Sequence, residues 1–381
     1  MQESPSPSNW ERYLPRPALR FRTLLVAVML FSSSVALYMR WEPWILLYEN
    51  RSMPGGATMA TFSPNGAFIL TASWDKSATV WDAYTSRAMI ILKHPTIVRT
   101  ALFSESGNRI VTTTHGRLAQ VWDSRNGEVV SVLNHPEEDW VRSAALSPDG
   151  SRVVTISQSK RTYVWNAENG DGLFEFRGHS GDLTSAVFAP DGNSILTASA
   201  DQTARTWDAK DGKPLQTLKG HTDEVSMAAY SPDSSKIVTA SKDHSARVWA
   251  ANDGHALLIL PHPDVVNWAV FSPDGTHVLT ACKDGTARIW SVSEAGEVAQ
   301  LNLFKSEIKS AEYDPLGKRI VTVHADKIMR IWERRRAENL LGLFDLPETW
   351  IILALLLFEG GAILHTYLKQ IRSGSADSST A

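Results

Sequence analysis

The chain has 381 residues, a formal charge of −3, 43% hydrophobic residues and one cysteine. A charge so close to zero gives no global field of the kind that draws nucleic acid, and one cysteine excludes an intramolecular disulfide framework. No CxxC, HExxH, GxGxxG or GxxxxGKS/T pattern occurs, so the motifs indicate no metal, cofactor or phosphate-cradling chemistry.

Residues 1–20 are rich in Pro, Ser and Arg and read as a flexible basic leader. Residues 21–40 contain the uncharged run TLLVAVMLFSSSVALYM, flanked by Arg20, Arg22 and Arg40. Its length is near the lower limit for a membrane-spanning helix, and a helical Ser can bond the carbonyl one turn back. A cleaved signal normally starts nearer the terminus and ends in small residues. A buried helix is the remaining alternative. The expectation is a retained transmembrane anchor over 21–40. Arg12, Arg16, Arg20 and Arg22 precede the uncharged run, which predicts a cytoplasmic N-terminus and an extracytoplasmic middle.

From residue 45 the pattern T-x-x-x-D-x-x-x-x-x-W recurs with variations. The copies are TASWDKSATVW, TTTHGRLAQVW, TISQSKRTYVW, TASADQTARTW, TASKDHSARVW, TACKDGTARIW and TVHADKIMRIW. Their tryptophans, Trp81, Trp122, Trp165, Trp207, Trp249, Trp290 and Trp332, stand 41, 43, 42, 42, 41 and 42 residues apart. A turn such as FSPNG, LSPDG or FAPDG precedes each Thr. Pro presets one turn dihedral, and Asn, Asp or Gly accepts the tight position. Short alternating segments beside the turns suit strands. Each period then holds four strands. A unit of about 40–45 residues cannot bury both faces alone, so the units pack around an axis.

Seven in-phase copies, the VWD, TWD and IW endings, and GH at 178–179 and 220–221 make residues 45–344 similar to the WD-repeat β-propeller family. The resemblance implies an all-β fold, a seven-bladed β-propeller of four-stranded blades; the apolar runs on either side add the expectation of an N-terminal and a C-terminal transmembrane helix. The resemblance also implies ring closure by a strand outside the repeats. WILLYEN (44–50) and ENLLGLF (338–344) both lie in phase for that place.

The resemblance further implies buried chains of His, Ser or Thr, Asp and Trp, because a buried indole N–H needs an acceptor. Two full sets follow: His179, Ser199, Asp201 and Trp207, and His221, Ser241, Asp243 and Trp249. The sixth unit supplies His262, Cys282, Asp284 and Trp290. The other units depart from the pattern. Met53 replaces His in unit one, Gly116 replaces Asp in unit two, and Ser159 replaces Asp in unit three, which has two extra residues after His135. Unit seven has Phe304 for His and His324 for Ser. These four blades are expected to rest on apolar packing and to open first.

Read alone, Cys282 with His262 and Asp284 suggests a thiol nucleophile, its base and its orienter. Read in register, Cys282 stands where Ser199 and Ser241 stand. Near-identical copies argue for a repeated structural role rather than catalysis, with a buried thiol in place of a hydroxyl.

The turns beside the tetrad Asp should share one face. Their flanking residues include Trp74, Lys76, Arg117, Lys160, Lys242, Lys283 and Lys327, and no acid occurs among the fourteen flanks. They form a candidate partner face that prefers acidic surfaces, with Trp74 as an anchor. Solvated gatekeeping by the lysines is the alternative. Trp140 and Trp268 are expected to have ordinary packing roles.

Residues 349–368 contain a second apolar run, WIILALLLFEGGAILHTYL at 350–368, with Glu359 near its centre. A central charge costs about 2.5–3.5 kcal/mol on insertion scales, and the apolar block before it offsets that. A second transmembrane helix is expected there, and residues 369–381 read as a disordered tail. The functional expectation is a membrane-anchored, non-catalytic protein–protein interaction scaffold. Its partners are other proteins and, through the anchors, membrane lipid, with no nucleic acid, no small-molecule substrate and no cofactor. The alternatives are a membrane sensor relaying binding through its helices and an enzyme with a site in the propeller channel.

Overall fold

Gly, Asn and Asp in the turns end each apolar segment after five to seven residues, which sets the strand length. The computed structural model describes residues 44–50, 55–136 and 139–334. All of their regular structure is strand, arranged as seven four-stranded antiparallel sheets. Blade 4 is typical. Its strands β14 (Leu183–Phe188), β15 (Ser194–Ser199), β16 (Thr203–Asp208) and β17 (Pro214–Lys219) pair in sequence order.

The first strands of the blades are β2 (Ala57–Phe62), β6 (Val98–Phe103), β10 (Val141–Leu146), β14, β18 (Val225–Tyr230), β22 (Val266–Phe271) and β26 (Ile308–Tyr313). Each touches the next, and β26 touches β2, so they ring a central axis. Their fourth residue is always alanine: Ala60, Ala101, Ala144, Ala186, Ala228, Ala269 and Ala311, all buried. A larger side chain at this radius would overpack the ring. Each first strand also carries a bulge near its start.

Second strands such as RVVTIS, KIVTAS and RIVTVH are buried almost throughout because adjacent blades cover both of their faces. Outer strands instead alternate and bury one residue deeply, for example Leu92, Leu133, Leu218 and Leu260. The core divides into clusters that each join two neighbouring blades. Trp207 of blade 4 packs with Val154 and Val164 of blade 3, and Trp81 of blade 1 packs with Val321 and Ile331 of blade 7. Truncating one such indole to alanine would cost about 3–5 kcal/mol.

Ring closure falls to the N-terminal candidate. Strand β1 (Trp44–Asn50) pairs antiparallel with β28 (Met329–Arg334) and completes blade 7. Trp44 joins the cluster of blades 6 and 7, and Arg319 donates to the Gly66 carbonyl at 2.6 Å, tying blade 7 to blade 1. The compact unit spans Trp44–Arg334. The leader, the runs 21–40 and 349–368, the segment 338–344 and the tail lie outside the described residues. Among the described residues no helix is long and apolar enough to cross a membrane.

Candidate functional site

In every blade the repeat tryptophan donates its indole N–H to the threonine ten residues before it. The seven acceptors are Thr71, Thr112, Thr155, Thr197, Thr239, Thr280 and Thr322, at 2.8–3.1 Å. Register explains the choice. Trp207 stands opposite Ile195, and Thr197 is the diagonal neighbour on the same sheet face, within reach of an aromatic side chain.

The expected hydroxyls therefore need correcting. Thr197, not Ser199, links Trp207 to His179, whose Nε2 lies 2.8 Å away. Thr239, not Ser241, does the same for Trp249 and His221. Ser199 and Ser241 stand one step further along, where each accepts the amide of Asp201 or Asp243 at 3.1 Å. His179 Nδ1 then meets Asp201 at 2.8 Å, and His221 Nδ1 meets Asp243 at 2.7 Å. Burial lowers the pKa of both imidazoles. The geometry fits neutral rings that donate from Nδ1 and accept from the threonine O–H at Nε2.

Blade 6 breaks the chain at its acid. His262 Nε2 lies 2.8 Å from Thr280, but its Nδ1 donates to the Leu260 carbonyl. Asp284 instead takes the Arg288 guanidinium at 2.7 Å. Cys282 is 0% exposed, its S–H faces the Asp264 carbonyl, and burial pushes its thiol up to about 11. The imidazole bonds neither the thiol nor the carboxylate, so the three do not form a nucleophile, base and orienter. Cys282 replaces the second serine of the pattern, not the hydroxyl bonded to tryptophan.

Two blades expected to rely less on a polar network have one. In blade 3 the two-residue insertion positions Asp139, which accepts from the Ser159 hydroxyl at 2.8 Å and the Tyr163 hydroxyl at 2.9 Å. The sequence reading missed this buried acid. The insertion after His135 was its signal. In blade 7, His324 bonds Thr322, and the buried Arg330 joins Glu49 at 2.8 Å to Asp326 at 2.7 Å while lying over the Phe304 ring. Blade 2 matches the expectation more closely. Among the described residues neither ring nitrogen of His94 has a partner at full hydrogen-bond geometry, Gln120 being its polar neighbour, and the ring packs edge-on against Trp122. Met53 of blade 1 lies outside the described residues.

These chains hold the turns between second and third strands on one face. Lys76, Lys160, Gln202, His244, Gly285 and Lys327 occupy equivalent turn positions, all with φ between 63° and 87°. Lys76, Lys283 and Lys327 are exposed and have no ion-pair partner among the described residues. Two other lysines are engaged: Lys160 donates to the Ser180 carbonyl at 2.7 Å, and Lys242 pairs with Glu224 at 2.9 Å. The acids that temper the face come from the loops entering the first strands, which the count of turn flanks did not include.

Trp74 is 56% exposed and Trp140 42% exposed. The expectation of ordinary packing describes Trp268, which packs against three core clusters, but not Trp140. Trp140 immediately precedes the first strand of blade 3 and meets His115 of the blade 2 turn, ring centroids 4.7 Å apart. Arg99 and Arg142 stand at the same register in β6 and β10, at the channel mouth on this face. Arg142 pairs with Asp182 at 2.7 Å, while Arg99 has no partner among the described residues. Burial and the Arg142 charge lower the Arg99 pKa.

A family model described as "WD domain, G-beta repeat" matches residues 55–82, 127–166, 170–208, 212–250 and 254–291. No curated protein matches the chain. Most matched segments begin at or just before an outer strand and end at the third strand of the next blade. The first three strands of blades 2 and 7 fall outside them, where the Asp or the His of the pattern is replaced. Both blades nonetheless share the strand order and the indole–threonine bond of the rest, and the chain belongs to the WD-repeat β-propeller family.

Proposed function

We propose that the chain is a membrane-anchored, non-catalytic scaffold whose turn face across blades 1–3 docks an acidic surface of a partner protein. Propellers of this family typically serve as protein–protein interaction scaffolds, which supports the general reading. One observation carries the specific one: the unpaired Arg99 beside Arg142, flanked by the exposed rings of Trp74 and Trp140. Two close guanidinium groups, of which only Arg142 has a carboxylate partner, favour an arriving carboxylate, and exposed tryptophans are the side chains that anchor interfaces. The rigid turns beneath lower the ordering cost of binding.

The anchor rests on the uncharged run in 21–40 and the apolar run in 349–368. In this reading the N-terminus is cytoplasmic and the propeller extracytoplasmic, so protease added to intact cells should cleave the propeller. For the docking face, Trp74→Ala, Trp140→Ala and Arg99→Glu combined should shift the melting temperature little, because all three side chains are exposed. The same triple variant should lose at least 90% of a partner crosslinked in native membranes. Undiminished crosslinking with unchanged melting would reject the face.

A further inference from the structure

The opposite mouth of the channel, on the side of the SPDG-like turns, is a funnel of about 300 Å³. Pro64, Pro148 and Pro190 of those turns rim it, together with Glu105 where blade 2 departs from the turn pattern. Its walls are Phe, Leu and Val side chains of the first strands, and Glu312 of β26 lines it within. At the register of Glu312 the other six blades carry Thr61, Leu102, Ala145, Val187, Ala229 and Val270. Ring packing therefore does not call for a charge at this position.

The carboxylate is poorly satisfied where it stands. Among the described residues, Oε2 of Glu312 is buried and has no hydrogen-bond partner, and the Thr61 hydroxyl supplies a neutral contact. Burial raises its pKa to about 7. An unpaired carboxylate in an apolar funnel either takes a proton or is stabilised by an arriving positive charge.

We propose that this funnel binds a primary ammonium group carried on an unbranched apolar stem, with the ammonium on Glu312 Oε2 and the stem along the apolar walls. One free oxygen suits a point charge better than a guanidinium fork, which would take both oxygens. Glu105 at the rim adds a second negative charge for the approach. A lysine side chain of a protein and a free linear amine share this chemistry. The site lies on the face opposite Trp74 and Arg99, so it stands or falls independently of the proposed docking face.

Calorimetric titration of the full chain with n-pentylammonium at pH 8 tests it, with 1-pentanol as the uncharged match and Nα-acetyl-lysine methylamide as the side-chain mimic. The expected result is saturable pentylammonium binding, at least tenfold tighter than pentanol, and weakened at least tenfold by Glu312→Gln. Binding of the capped lysine as well would assign the site to a protein lysine, and binding of the free amine alone to a small amine. Glu105→Lys, on the exposed rim, should weaken binding at least threefold, which provides a readout that leaves the funnel's interior untouched. Absence of saturable pentylammonium binding, equal affinity for pentanol, or undiminished binding by both variants would overturn the proposal.

Discussion

Thr197 holds two buried bonds that Ser199 does not, so the two residues should differ sharply on substitution. Thr197→Val leaves the Trp207 indole without its acceptor and His179 Nε2 without its partner, and should cost about 2–4 kcal/mol. Ser199→Ala removes one acceptor for the Asp201 amide and should cost about 1 kcal/mol. Urea denaturation of both variants checks this, and equal losses would contradict the assignment. The threonine was legible in the sequence, since it heads all seven copies, whereas the second position varies among Ser, Thr, Cys and His. Which hydroxyl meets the indole was not legible, because diagonal reach depends on strand pairing.

The histidines predict an acid limb in stability. Burial lowers His94, His135, His262 and His324 to about 4 from an ordinary value of 6.5. A base held neutral in the fold contributes fully above pH 6.5, and that contribution is lost as pH falls from 6.5 to 4. Each could contribute on the order of 3 kcal/mol. The melting temperature should therefore fall steadily between pH 6.5 and 4. His94→Phe keeps the ring contact with Trp122 and should flatten that slope without lowering stability at pH 7. An unchanged slope would assign the acid limb to other groups.

At the scale of the element, the closing strand was the open choice. WILLYEN and ENLLGLF have similar apolar content and both lie in phase, so hydrophobic pattern alone could not separate them. Cross-strand chemistry separates them in the fold: Glu49 pairs opposite Arg330 in the strand register and binds its guanidinium. Arg330→Met should leave Glu49 and Asp326 without their cation and cost about 3–5 kcal/mol. Double replacement of Arg330 and Glu49 should cost less than the sum of the two single changes, and strict additivity in the cycle would deny that the pair fastens the ring. The bulge near the start of each first strand also hid Glu312. A one-residue bulge reverses the alternation, so counting along IKSAEY does not tell which side chains line the funnel.

At the scale of the molecule, repeat spacing alone disclosed blade number and strand count, because each tryptophan marks one interface between neighbours. The partner face was legible as a ring of basic turns but not in its balance of charge. Glu224 stands 18 residues from Lys242 and Asp182 stands 40 from Arg142, and only the fold brings these pairs together. What distinguishes blades 1–3 is the conjunction of exposed indoles with an unpaired guanidinium. That conjunction is the central claim, and its most direct test is site-specific photocrosslinking in native membranes. A photoreactive residue would be placed in turn at Trp74, at Trp140 and, as a control on the opposite turns, at the exposed Leu316. The account predicts the same crosslinked protein from positions 74 and 140, loss of that product when Arg99→Glu is added, and its absence from position 316. Equal capture of that protein from position 316, or its persistence with Arg99→Glu, would contradict it.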